Sequence, residues 1–384
     1  MRMLFTTGTA TGRPEAVTEN QTSSPVRVLV IADMERLGRR MDRNLYQRYE
    51  ALGRCPGVRV TGPGCEGFSR GMPVADLFDG AGDCPDLLIH GPDLGATGRP
   101  LVGGLADLRI PKAMQIVDSW ELPAIRQQFL RSNHFDYVFH VARPREPEYE
   151  RACPEVQFIW TPNAVQTDVF RDYGHEKVND VLFYGAAYDW YPLRARALPL
   201  LEGLSHNSLR VKIIPHPGYW DDGYTPQPDH YVGRALAEEI NRSWITITTA
   251  SVHGCLFVKH LEAPAAMSLP AGSVPDQARP LLGDGILDLA ALPDEAIIES
   301  LTEALADKGR LLARIAEASD RVREHCSMEC CARDTLYLVE RLVRPNSPAS
   351  RSDPEQEAPA YALPALLQGA YGQFRADAVN ACEL

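Results

Sequence analysis

Residues 256–272, LFVKHLEAPAAMSLPAG, set Lys259, His260 and Glu262 within four positions of an otherwise apolar, small-residue run. A segment needed only for packing gains nothing from a carboxylate, because burying an unpaired charge costs far more than a helix turn returns. Lys259 precedes Glu262 by three residues, so on a helix the two share one face and can point into one cleft. The simpler alternatives are a first-turn capping acid for Glu262 and a solvated surface ammonium for Lys259.

Other candidates stand at the carboxyl ends of short apolar runs, the place where open α/β sheets bind ligands. Gly185 follows DVLFY and offers backbone unobstructed by a Cβ. His216 ends IIPH, and His90 and His140 end LLIH and YVFH. Asp118 closes KAMQIVD, and Arg194 ends YPLR on the helix that follows Gly185. Each has a structural alternative: a turn-fixing His216, a satisfied loop His90, a helix-capping Asp118, a surface Arg194. Asn241 and Ser243 read as residues that close one helix and open the next strand.

The elements that must position these residues alternate. VRVLVIAD (26–33) is a β-branched run of the kind buried on both faces of a sheet. A helix is expected over 34–52, with Leu37, Met41, Leu45, Tyr49 and Leu52 spaced by three or four. Strands follow at 58–61, 85–91, 112–118, 135–141 and 156–162, with a helix over 122–131. A second round begins with a strand at 180–187 and a helix at 193–204. A strand at 210–218, a helix at 233–241 and strands at 244–251 and 286–289 come next. A long helical region spans 294–343, broken near Ser319 and Ser327. Such alternation predicts parallel α/β sheets. The expected division is a lead-in at 1–24, domains at 25–165 and 175–343 meeting near 165–178, and a linker and tail at 344–384.

Composition narrows the function. The 384 residues are 45% hydrophobic, with a net charge of −12. That acidity argues against a nucleic-acid partner, since phosphate backbones want a basic face. No run of eighteen apolar residues occurs, so no membrane span is expected. The nine cysteines form no CxxC pair, which suits reduced thiols in a cytoplasmic protein. DMERLGRRMDR follows the first strand in place of GxGxxG, so a dinucleotide fingerprint is absent. Two such domains without it need another ligand, placed by default in the cleft between them.

TPNAVQTDVF, DVLFYGAAYDWYPLR, IIPHPGY, EEINRSWITITTAS and KHLEAPAAMSLPAG, in this order over about 156–343, resemble the second half of GT-B glycosyltransferases. Within these, the CgeB-like, or spore-maturation-type, group is the one resembled. The resemblance implies a GT-B fold of two Rossmann-like domains with an interdomain cleft. It implies a nucleoside diphosphate sugar, such as a UDP-sugar, as donor substrate, with no separate cofactor. Glu262 then matches the acid that takes the ribose hydroxyls, and a carboxylate can accept two at once. Gly185, Arg194, Lys259 and the helix start at Ala263 would border the diphosphate, and His216 the base or sugar. Many relatives carry a further acid eight residues before Glu262. Gly254 stands there, which leaves the transferred sugar to this loop's backbone or to His253. His90 would contact the donor sugar, and Asp118 or His90 would supply a base if one is needed.

The reading is therefore transfer of a sugar to a small-molecule or glycan acceptor, metal-independent and retaining by analogy. WDDGYTP at 220–226 reads as a turn, not a metal pair. A sugar-nucleotide epimerase or hydrolase on the same fold, and a non-catalytic nucleotide-sugar binding protein, stand as alternatives. Acceptor-dependent turnover separates the first, and binding without sugar release the second.

Overall fold

The computed structural model describes residues 25–345, except 41–42, 79–83, 93–99, 119–121, 142–146, 205–208, 218–226 and 228–229. The expected lead-in, the Asp221–Asp222 turn and nearly all of the 344–384 tail lie outside the described residues.

The first half is built from β1 (Val28–Ile31), α1 (Met34–Arg39), α2 (Asn44–Gly53), β2 (Val58–Thr61), β3 (Leu87–His90), β4 (Lys112–Ile116), α3 (Pro123–Ser132), β5 (Tyr137–His140), α4 (Pro147–Ala152) and β6 (Gln157–Trp160). Its six strands are all parallel, in the order β2-β1-β3-β4-β5-β6. VLVI and LLIH are buried along their whole length, as strands covered on both faces must be. Alternate residues feed the two layers. Val28 and Val30 join one core with Leu37 and Leu52, while Leu29 and Ile31 join another with Met114 and Phe129.

The second half comprises β7 (Asn179–Tyr184), α5 (Pro192–Glu202), β8 (Val211–Ile214), α6 (Arg234–Asn241), β9 (Ser243–Thr248), α7 (Lys259–Ala265), β10 (Leu269–Gly272), α8 (Ala278–Leu282), β11 (Leu287–Asp288), α9 (Asp294–Ala306), α10 (Lys308–Cys326) and α11 (Met328–Val343). Its five strands are parallel in the order β11-β10-β9-β7-β8. Each sheet winds in both directions from a starting strand. The order reverses between β1 and β3 in one and between β7 and β9 in the other. Crevices beyond the carboxyl ends of those strand pairs are where doubly wound sheets take ligands.

Several elements depart from the expectation. The single helix over 34–52 is two, because Arg40 turns extended after α1 and α2 starts again at Asn44. The strand β10, LPAG, pairs with β9 from Leu269↔Ile245 to Gly272↔Thr248. Pro270 had no place in a reading of strands, since it cannot donate to the ladder. The helix expected to break at Ser319 runs through it, and Ser319 is buried. The real interruptions have caps. Asp307 accepts from the Arg310 amide at 2.9 Å, and Ser327 from the Cys330 amide at 3.2 Å.

The largest departure concerns α11. Residues 328–343 were assigned to the second domain, yet Met328, Ala332, Leu338 and Val339 pack into the core of the first, beside Leu37, Tyr49 and Leu52. The chain thus crosses between the halves twice. The crossings touch: the Val165 amide donates to the Cys326 carbonyl at 2.8 Å, and Val165 bridges Ser327 in parallel.

This packing makes Val339, fully buried, a support of the first domain. Val339→Asp is expected to lower stability by roughly 3–5 kcal/mol, the usual cost of an unpaired buried charge. Leu312→Asp, on the exposed face of α10, should leave the urea midpoint nearly unchanged.

Candidate functional site

The Tyr184–Gly185 step ends β7 at its sheet's reversal point. Alternation along the strand sends Leu182 and Tyr184 to the face covered by α7, and Val181 and Phe183 to the other. On that face the Tyr184 hydroxyl donates to Glu262 Oε2 at 3.1 Å. Lys259 Nζ lies 4.5 Å from the centre of the Tyr184 ring. Burial, together with the Glu262 carboxylate, raises the Tyr184 phenol well above its ordinary value, so it stays a neutral donor.

Gly185 has φ +98°, and a Cβ there would run into Lys259 Nζ and come within 3.2 Å of Arg194 Nη1. The backbone conformation therefore favours glycine, and the open Cα leaves room for the two cations beside it. Arg194 is only 2% exposed; Nη1 donates to the Ala186 carbonyl at 3.0 Å, and its guanidinium lies 4.3 Å from the Tyr191 ring centre.

These groups border a cavity of about 300 Å³ with Tyr231, Phe257 and His216. Residues of the first half, Arg43, Asn44 and Gln47 at the start of α2, close it. Among the described residues that line it, three cationic side chains, Arg43, Arg194 and Lys259, face one carboxylate, Glu262. In a chain of net charge −12 that local excess of positive charge selects for an anion. Burial, and then the Lys259 and Arg194 charges, hold His216 down to about 4, so at neutral pH it is an uncharged imidazole.

A second cavity of about 520 Å³ lies between the halves. Leu37, Arg40, Asp118 and Arg126 line it from one side, and Tyr188, Trp190, Ser251, His253 and Phe257 from the other. Tyr191, Asn44, Phe257 and Val258 border both cavities, so the two adjoin.

Of the residues singled out in the sequence, Gly185, Arg194, His216, Lys259 and Glu262 meet in the first cavity, and Asp118 and His253 line the second. His140, Asn241 and Ser243 line neither, and nor do His90, Gly254 and Ala263. His90 is fully buried, its ring 5.2 Å from that of Phe129, and Nδ1 is 2.8 Å from the Gly91 carbonyl. It is a core side chain beneath the cleft, not a donor-sugar contact. Gly254 is exposed at φ +65° in a turn whose amide donates to the Ser251 carbonyl at 2.9 Å. Ala263 is fully buried, and Ala265 and Ala266 beside it pack with Ala318 and Val322 of α10. The small residues thus let two helices approach, not a phosphate. Tyr184, Tyr231 and Arg43 escaped the sequence reading. The signal for Tyr184 was present: it precedes the strand-ending glycine.

No family model matches the sequence, and no curated protein does. Solved structures match by shape. The protein is similar to a sucrose-phosphate synthase from Thermosynechococcus elongatus, at 13% identity and TM-score 0.52, over 83% of this chain and 99% of that one. It is similar to a glycosyltransferase from Rickettsia africae ESF-5, at 12% identity and TM-score 0.52, over 85% and 100%. It is also similar to a DNA-modifying β-glucosyltransferase, at 11% identity and TM-score 0.52, over 82% and 99%. The fold is GT-B. The match runs through both sheets, so the paired reversal points described above are the two sides of a GT-B cleft. None of the described helices is long and apolar enough to cross a membrane.

His260 on α7 is fully buried like His90, and burial holds both down to about 4, against an ordinary 6.5. Between those values the unfolded chain binds protons that the native chain refuses, so stability falls as pH drops from 6.5 towards 4. By about pH 5 the loss is expected to reach about 2 kcal/mol for each. Urea unfolding between about pH 7.5 and 5 should show it, and His260→Gln should flatten the curve.

Proposed function

We propose that this GT-B protein is a glycosyltransferase that takes a sugar from a nucleoside diphosphate sugar, UDP-linked in the first instance, and passes it to an acceptor hydroxyl or amine. The observation that carries the proposal is the first cavity: one carboxylate and a concentrated set of cations at the carboxyl end of β7. Glu262 would accept two hydrogen bonds from the ribose hydroxyls, while Lys259 and Arg194 would face the diphosphate beside Gly185. Two neighbours speak for the same donor class. The DNA-modifying β-glucosyltransferase is described with its substrate uridine diphosphoglucose, and the Anabaena protein HepE, at 9% identity and TM-score 0.50, in complex with UDP. The sequence motifs around Gly185 and Glu262 favour the CgeB-like group, and nine cysteines with no CxxC pair favour a cytoplasmic setting.

In the proposed reaction the bond from the anomeric carbon to the diphosphate oxygen breaks, and that oxygen leaves with the electron pair. An acceptor oxygen or nitrogen forms the new bond to the anomeric carbon and loses its proton. Charge develops on the leaving phosphate, where fixed cations stabilise it most. Lys259 and Arg194 would do so without a metal. Retention is the course we favour, with the acceptor proton passing to the leaving phosphate oxygen. The second reading is inversion, which needs a base on the acceptor side. Asp118 lines the second cavity and is the residue it would use.

Calorimetric titration with UDP and GDP tests the donor site. Glu262→Ala is expected to weaken the preferred nucleotide by roughly 10- to 150-fold, the loss of one or two charge-assisted hydrogen bonds worth about 1.5–3 kcal/mol. Unchanged affinity would leave Glu262 a partner of Tyr184 and nothing more. Asp118→Asn decides the course of reaction. A loss of roughly 100-fold or more in kcat favours an inverting base, and a change of a few-fold favours retention.

A further inference from the structure

Two adjoining loops on the outer side of the cleft leave large apolar groups in water. Tyr188 and Trp190 are each 55% exposed and Val252 is 56% exposed, three of the eight large exposed hydrophobic side chains among the described residues. All three stand on the loops that follow β7 and β9. The loops are latched: the Tyr191 amide donates to the Tyr188 carbonyl at 2.8 Å, and the Val252 amide to the Trp190 carbonyl at 3.0 Å. The Trp190 ring lies parallel to that of His253, 5.7 Å between centres and 27° between planes. One face of the indole is therefore supported, and the ring is held in place before any ligand arrives.

Tyr188, Trp190 and His253 line the second cavity, and Arg40, Asp118 and Asn163 also line it. Flat aromatic surface combined with planar hydrogen-bonding side chains suits a pyranose. Its ring C–H face stacks on an aromatic plane, and its equatorial hydroxyls reach outward to carboxylate, guanidinium and amide groups. A purely apolar acceptor would cover Trp190 equally well but would take water from the polar side chains of Arg40, Asp118 and Asn163 without offering hydrogen bonds in its place. A cavity of about 520 Å³ has room for an acceptor sugar beside the transferred sugar.

We propose that Tyr188 and Trp190 form the acceptor platform and that the acceptor is a saccharide. This deepens the glycosyltransferase reading and rests on it. It assigns the second cavity a substrate class and gives Trp190 a positioning role without placing it on the reacting atoms.

The test keeps the two readings separate by measuring UDP and saccharide on the same full-length protein. UDP is followed by calorimetry. A panel of neutral disaccharides of glucose, galactose and N-acetylglucosamine is followed by tryptophan fluorescence and, with UDP-sugars present, by product formation. Trp190 is exposed, so Trp190→Ala should fold, which circular dichroism checks. The expected result is a panel member that binds and perturbs the fluorescence. Trp190→Ala should weaken it roughly 3- to 10-fold with UDP affinity unaltered, and Tyr188→Ala should act in the same direction. A protein that binds UDP but no panel member, or whose saccharide binding ignores Trp190→Ala, overturns the platform and leaves the donor site standing. So does preferential transfer to a flavonoid or a polyprenyl phosphate. Saccharide binding that depends on Trp190 in a protein blind to every nucleotide supports the platform and sinks the glycosyltransferase reading.

Discussion

Two cations packed against the bare Cα of Gly185 set the terms for the rest of the second domain. Lys259 and Arg194 repel each other, and Arg194 is almost wholly removed from water. The arrangement holds because other groups absorb the charge. The Ala186 carbonyl and the Tyr191 ring take the guanidinium, and the Tyr184 ring takes the ammonium. Glu262 is tied to the same strand end through the Tyr184 hydroxyl. A side chain at position 185 would displace the Lys259 ammonium, the flexible end of its side chain, and crowd the Arg194 guanidinium. Sheet, helix starts and charge balance are in this sense one structure.

That constraint also explains why an acidic protein keeps a basic cavity. Asp180, at the opposite end of β7, is held down to about 2 by hydrogen bonds from Arg210. Among the described residues that line the cavity Glu262 is the single carboxylate. Positive potential confined to a crevice within a negative surface discriminates by place as well as by charge.

The strands buried on both faces were legible because VLVI, LLIH and DVLFY are dense in apolar and β-branched residues, whereas the GT-B arrangement was legible only through the resemblance carried by the motifs around Gly185 and Glu262. Glu262 was legible as a charge in an apolar run. The sequence misled where one residue type serves two purposes. Alanines beside Glu262 read as a phosphate approach and turned out to be helix contacts with α10. His90 ends a strand, as a ligand-binding histidine would, but its ring points into the aromatic core with Phe129 and Phe135. A carboxyl-end position gives the address of a residue and not the side of the sheet it faces. Pro270 hid β10, and only the return of α11 to the first core, a contact between residues about three hundred positions apart, fixes where the second domain stops.

The two passages of the chain between the sheets lie side by side, joined at Val165, Cys326 and Ser327. A single tether would let one lobe swivel and twist freely on the other. A pair of adjacent tethers behaves like a door hinge: it permits opening about one line and resists torsion around any other. Gln47 and Gln166, hydrogen-bonded at 2.5 Å, sit close to that line on the wall of the first cavity, and Asn163, two residues before Val165, lines the second. Both chambers abut the hinge and both are walled by residues of the two lobes, so a swing about that line would widen them together.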